Sequence, residues 1–329
     1  MKEHLMLVIL NKSINKLAVI LLLLCTYGCS LDSSYNKGLK AYAKRNYTQA
    51  LKYFSLSAKK NNLKSYEMLG YMYFKGEGVK QNYTEAFYWY RKAAEKGSAD
   101  GCYSCGYFLA DGLGVKQNTA KALDYLEQAL NKGDKRAIVL IVDIYLNGRK
   151  DFKQDYKTAE IYILRGDYKN NAMLLYYYAR LYENGWGVKK NTQKAEMYLR
   201  QAIKLNQKSS YPAKAELAEL LYNQNRNIRE AESLISDYLS IKNKSSLGMY
   251  LLGRILYKEK KYDDALEQLK KASESEPENG DITNCLGDVY FALGKTKEAK
   301  EQWQKAFDLT KDKEVRKKIK RKLGIQGTG

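Results

Sequence analysis

The chain has 329 residues and a formal net charge of +20, with thirty tyrosines, two prolines and one histidine. The lone histidine, His4, falls in an N-terminal leader, so the mature chain lacks the base of Ser-His-Asp or Cys-His catalysis and the usual imidazole metal ligand. No Gly-rich phosphate loop or zinc-type cysteine spacing occurs, and neither a cofactor nor a metal is expected.

Residues 1–28 read as the leader. Lys2, Lys12 and Lys16 precede an apolar core from Leu17 to Cys25, and Thr26-Tyr27-Gly28-Cys29 follows. A basic start, a short apolar core and a small residue before a cut describe a secretory signal. The uninterrupted apolar run is too short to span a bilayer. Gly28-Cys29 resembles a bacterial lipoprotein box, which implies that Cys29 becomes the lipidated first residue. Thr26 stands where such boxes usually carry Leu, so ordinary cleavage and an uncleaved anchor stay open beside acylation. Ser30, rather than Asp, resembles the sorting pattern of outer-membrane lipoproteins and implies a chain facing the periplasm. Export argues against nucleic acid as a partner. Removing residues 1–28 takes away three Lys and one Glu and leaves +18. That balance suits an anionic environment or acidic partners, or else describes a Lys-rich solvated surface.

Residues 29–62 form a first unit in which Gly38 and Ala50 are twelve apart and Phe54 follows four later. This is the spacing of a tetratricopeptide repeat. Next comes LGYMYFKGEGVKQNYTEAFYWYRKAAEKG from Leu69 to Gly97, and thirty-six residues on CGYFLADGLGVKQNTAKALDYLEQALNKG from Cys105 to Gly133. Gly70, Gly76, Gly78, Asn82, Ala86 and Ala93 recur as Gly106, Gly112, Gly114, Asn118, Ala122 and Ala129. A fixed period of this size means a stacked array of helix pairs. Gly70 lies inside the first helix, where it predicts a close approach by the second. Gly76 and Gly78 bracket a loop that wants positive φ, and Asn82 caps the second helix. Gly97 ends it as a left-handed residue. Ala86 and Ala93, seven apart, share one face.

These units, 63–98 and 99–134, resemble Sel1-like repeats, longer-looped relatives of the tetratricopeptide repeat. The third, 135–171, is degenerate: Gly148 is followed by Arg149-Lys150-Asp151-Phe152, and Asp155 and Ala159 replace Asn118 and Ala122. The fourth, 172–208, is regular again, with Gly185, Gly187, Asn191, Ala195 and Ala202. Residues 209–312 return to tetratricopeptide spacing. A break at Ser209 to Pro212 opens a loose unit on Ala218 and Ala231, and two close units follow on Gly253, Ala265, Ala272 and on Gly287, Ala299, Ala306. Residues 313–329 form a basic cap and tail, where Val315, Ile319 and Leu323 repeat at spacing four. The run from Lys311 to Lys322 holds eight Lys or Arg against two acids. It fits anionic lipid, cell-wall polymer or a plain solvated face. The resemblance implies an all-α, right-handed solenoid of eight helix pairs plus a cap.

Cys102-x-x-Cys105 admits a redox reading. The pair nevertheless lies mid-helix, and Cys105 takes the apolar position that Leu69 holds one repeat earlier, which favours small buried hydrophobes. Some Sel1 proteins named as penicillin-interacting or β-lactamase-like bridge the two helices of every repeat. The second helices here carry no Cys, so that pattern is not matched, and no nucleophile–base pair marks an enzyme.

In tetratricopeptide arrays the first helices line a concave groove. By that resemblance the partner-facing candidates are Tyr71, Tyr103, Tyr107, Tyr176, Arg180, Tyr250, Arg254 and Tyr257. Tyr and Arg dominate interface energetics once a partner buries them. Tyr176 with Arg180 and Tyr250 with Arg254 form pairs at spacing four, expected to lie outside the core with guanidinium donors free for an acidic segment. The plainer reading is that some of these rings only shield neighbouring repeats. The expected function is a non-catalytic scaffold for envelope proteins, with binding of anionic envelope polymer in exopolysaccharide secretion, pilus assembly or cell-wall maintenance as the alternative.

Overall fold

The computed structural model describes residues 33–324, so Cys29 and the leader lie outside the described residues. It is all-helical. The order is α1 (Ser33–Ala43), α2 (Tyr47–Ala58), α3 (Leu63–Lys75), α4 (Tyr83–Glu95), α5 (Ala99–Asp111), α6 (Thr119–Asn131) and α7 (Arg136–Asn147). After these come α8 (Tyr156–Arg165), α9 (Ala172–Asn184), α10 (Thr192–Lys204), α11 (Tyr211–Asn223), α12 (Ile228–Ile241) and α13 (Ser246–Lys258). The described residues end with α14 (Tyr262–Ser275), α15 (Gly280–Ala292), α16 (Thr296–Leu309) and α17 (Lys313–Leu323). Among the described residues that is eight pairs and a cap, in line with the repeat count from sequence. Among the described residues the only strand-like pairing is one bridge between Arg149 and Phe152, in the degenerate loop. The chain divides into two compact units, up to Asp155 and from Tyr156 onward.

Within each unit, small residues set the helix spacing. Ala86, Ala93, Ala122, Ala129, Ala195 and Ala202 are all fully buried. A Cβ added to Gly70 would fall 2.9 Å from the Tyr90 ring, so this mid-helix glycine exists to let α4 close on α3. Gly106 meets Leu126 and Ala122 in the same way. The loop glycines do more than turn the chain. Gly114 has φ +62°, and a Cβ there would lie 2.4 Å from the Thr84 backbone nitrogen, at the start of α4. Thr84 Oγ1 donates to the Gly114 carbonyl at 2.9 Å. The second glycine of each GxG is therefore a seam between successive repeats as well as a turn.

Caps close the helix ends. The side-chain oxygens of Asn82, Asn118 and Asn191 accept from the backbone N–H of Glu85, Lys121 and Lys194 at 3.1, 3.0 and 2.9 Å. Pro212 sits in the first turn of α11, where its missing N–H costs nothing. Cys102 and Cys105 are buried free thiols, and burial pushes both thiol pKa values up, which suits inert packing better than redox exchange. Ile319 is fully buried on Trp303 and Ala306, with Val315 and Leu323 beside it, and so α17 caps α16.

Candidate functional site

In the first unit the first helices α3 and α5, with the start of α7, enclose a pocket of about 440 Å³. Tyr71 comes from α3, and Tyr103 and Tyr107 from α5; all three line it. They arrive together because equivalent helices of successive repeats present equivalent faces, so positions thirty-six apart become neighbours. Phe108 and Tyr90, both buried, line the inner side, while Tyr71 stays 37% exposed. Burial raises the Tyr103 and Tyr107 hydroxyl pKa values, so these rings stay neutral hydrogen-bonding groups at any ordinary pH.

The charges in and beside the pocket are organised on the same period. Lys64, Asp100 and Arg136 hold equivalent positions of three successive repeats. Arg136 pairs with Asp100 and, at 2.5 Å, with Asp134, and its guanidinium lies 4.3 Å from the centre of the Tyr103 ring. Glu67 accepts from Ser98 Oγ at 2.6 Å and Lys64 Nζ at 2.8 Å. Lys75 stands over the Tyr71 and Phe74 rings. The aromatic walls thus carry paired charges at the rim, which suits a chain that brings both apolar side chains and hydrogen-bonding backbone.

The second unit treats the same helix positions differently. Tyr176 and Arg180 share a face of α9 as expected, the guanidinium 5.8 Å from the Tyr176 ring and 5.4 Å from that of Trp186. Trp186 fills the middle of a GxG loop and stacks on Tyr156 at 5.0 Å. Tyr176 is half-buried against the core and hydrogen-bonds to Glu216. Glu216 in turn shares a hydrogen bond with Glu183. Burial first, then the neighbouring Glu216 carboxylate, pushes Glu183 up to about 7, while its Oε2 is buried without a partner.

Further along, Arg254 lies 4.4 Å from the Tyr222 ring and 5.3 Å from Tyr250, and pairs with Glu219 at 3.7 Å. The expectation of a free guanidinium fails at Arg254, because α11 supplies the carboxylate that a partner was expected to bring. Tyr250 is half-buried and takes a weak bond from Cys285 at 3.9 Å. Tyr257 stays 37% exposed, beside Tyr262. At this end Asp288 accepts from Trp303 Nε1 at 2.9 Å and Lys322 Nζ at 2.6 Å.

The Sel1 repeat family matches residues 27–62, 63–98 and 99–134, and the tetratricopeptide repeat-like domain matches residues 177–325. The chain carries Sel1 repeats and a tetratricopeptide repeat-like domain. The first Sel1 match takes in the unit that spacing assigns to tetratricopeptide type; its turn, Lys44 to Asn46, lacks the GxG. No curated protein matches the chain. Among solved structures, a protective antigen present in uropathogenic Escherichia coli strains, displaying an SLR fold, is 23% identical with a TM-score of 0.65. That match covers 84% of this chain, which spans only 60% of the antigen's length. A Sel1 repeat protein from Oxalobacter formigenes is 24% identical with a TM-score of 0.62, covering 74% of this chain and all of its own. Both likenesses establish the solenoid fold. Repeats of these two kinds generally serve as protein-interaction scaffolds and are typically non-catalytic.

Among the described residues no cluster of three or more His, Cys, Asp or Glu is arranged to hold a metal. No described helix is long and apolar enough to cross a membrane. Sequence reasoning missed Arg136, Glu67, Trp186, Glu183 and Glu216. The alternation Lys64, Asp100, Arg136 at the repeat period was the signal for the first of these.

Proposed function

We propose that this chain is a non-catalytic scaffold of the bacterial envelope, held at the outer membrane by lipid on Cys29 and facing the periplasm. In this reading the pocket of Tyr71, Tyr103 and Tyr107 captures an extended segment of an envelope protein. One observation carries the reading: three tyrosines from two successive first helices converge on an open pocket of about 440 Å³ whose inner side is already packed. Rings held this way lose little entropy when a partner covers them, which is what makes Tyr an interface anchor. Gly28-Cys29 supports the anchor. The +18 of the chain after its leader keeps anionic envelope polymer as a second reading.

Crosslinking pull-down from intact envelopes, comparing the parent with Tyr71→Ala/Tyr103→Ala/Tyr107→Ala, tests the pocket. Loss of a defined protein partner from the variant supports it. Unchanged capture, or capture that collapses with salt and yields only polymer, contradicts it. Metabolic palmitate labelling that survives Cys29→Ser would sink the anchor.

A further inference from the structure

The last helix carries a surface that the scaffold reading does not use. α17 reads KEVRKKIKRKL, seven Lys or Arg against one Glu. Its apolar stripe is committed inward on Trp303, Ala306 and Phe307. Three of its cations are engaged as well: Arg316 lies 4.1 Å from the Phe307 ring, Lys320 Nζ 5.7 Å from the same ring, and Lys322 bonds Asp288 and Asn284. Lys313, Lys317, Lys318, Lys320 and Arg321 are exposed. None of these five has an ion pair among the described residues.

Elsewhere in the array several exposed cations are matched by carboxylates about one repeat away. Arg136 meets Asp100, Arg200 meets Glu230, and Lys261 meets Glu232. On α17 one pair at spacing four is opposite, Glu314 and Lys318, but four are like charges: Lys313 and Lys317, Arg316 and Lys320, Lys317 and Arg321, Lys318 and Lys322. Each such pair opposes helix formation. The sequence places these pairs on the one helix that no following repeat covers among the described residues, which leaves the face open to an anion from outside the fold.

We propose that the outer face of α17 is a docking surface for an anionic phospholipid bilayer. Three features favour a flat lipid surface over a polymer strand. The charges spread over an exposed helix face and line no groove. The nearest pocket, between α16 and α17, mixes Lys300 and Lys305 with Glu301 and Asp308. The apolar stripe is already spent on the fold, so the contact is purely electrostatic and leaves the helix lying on the headgroups. A polybasic patch of this kind is the second signal that turns one lipid chain into a stable anchor. The surface acts whether or not Cys29 is acylated.

The test uses the full chain carrying Cys29→Ser, so that no acyl group contributes, and phosphatidylcholine vesicles with and without phosphatidylglycerol. Binding should strengthen when phosphatidylglycerol is present, and the gain should fall steeply with salt. Lys313→Gln/Lys317→Gln/Lys318→Gln/Arg321→Gln should reduce the gain about a hundredfold or more. Gln preserves helix propensity, and a thermal melt verifies folding. Salt titration of the parent gives a second readout that needs no variant. A parent chain indifferent to phosphatidylglycerol overturns the proposal, as does a folded variant that keeps the full gain. Binding to soluble alginate with no gain on vesicles assigns the face to polymer instead and overturns it equally. Palmitate labelling at Cys29 reads the acyl anchor separately.

Discussion

The two units carry Tyr, Arg and carboxylates on their first helices and arrive at different surfaces. In the first unit Tyr71, Tyr103 and Tyr107 border a pocket, and the cations stand over rings at its rim. In the second unit the same residue types close on one another: Arg254 on Tyr222 and Glu219, Tyr176 on Glu216, Glu216 on Glu183. A partner of the second surface would have to displace bonds already made, at the cost of leaving half-buried charges unpaired. Residue type at a groove position therefore does not identify a docking surface. In the function proposed above, whether the neighbouring helix already satisfies that residue decides it.

That contrast can be broken at several points. Gly114→Val should have the largest effect, because it combines a left-handed backbone with a Cβ 2.4 Å from the Thr84 nitrogen. A loss of about 3 kcal/mol or more is expected in thermal melts. An unperturbed melt would mean that the GxG seam is not what joins these repeats. Ala122→Leu and Ala195→Leu, one in each unit, should each cost about 1–3 kcal/mol by overpacking. A neutral result at both would contradict the repeat alignment.

Next in size is the separation of binding from stability. Tyr71→Ala/Tyr103→Ala should weaken partner capture by about 2 kcal/mol or more and leave helical content unchanged. Tyr176→Ala/Arg180→Ala should instead lower the melt, since Tyr176 packs against the core and bonds Glu216. A reversal of the two outcomes would exchange the roles of the units.

The pH dependence sharpens the description of the second unit. Glu183 is raised from 4.5 to about 7 by burial and by Glu216, so between those values the native state holds a proton that the unfolded chain has released. Its contribution is full below about 4.5 and is lost as pH rises through about 7. After allowance for solvent screening this amounts to about 1–2 kcal/mol. Denaturant midpoints from pH 4.5 to 8 should show the decline, and Glu183→Gln should flatten it. A parent profile that is flat or rising would contradict the shared proton. The smallest effect belongs to Arg136→Ala, whose exposed ion pairs are worth about 1 kcal/mol or less to stability. A larger loss of stability would make the rim of the pocket a structural element.

Much of the fold was legible because the repeat constrains it. Gly70, Asn82, Ala86 and Ala93 each have one physical task per repeat, and recurrence reveals the task. The grouping of Tyr71, Tyr103 and Tyr107 followed from the same period. The engagement of Arg254 did not, because Glu219 lies on the preceding first helix in a loosely matching unit, where the period gives no register. The Glu183 and Glu216 pair was hidden for the same reason: two glutamates on separate helices look like ordinary surface residues until the crossing is known. Trp186 sat in plain view inside a GxG loop, but only the geometry shows it stacking on Tyr156 and standing beside Arg180.

The central claim is that the first unit's aromatic pocket, and not the second unit's satisfied network, receives the partner. Site-specific photocrosslinking in intact envelopes tests it most directly, with a photoreactive residue placed at Tyr71 in one chain and at Tyr250 in another. The account predicts a discrete protein adduct at Tyr71, abolished by Tyr103→Ala/Tyr107→Ala, and none at Tyr250. An adduct at Tyr250 with none at Tyr71 would contradict it.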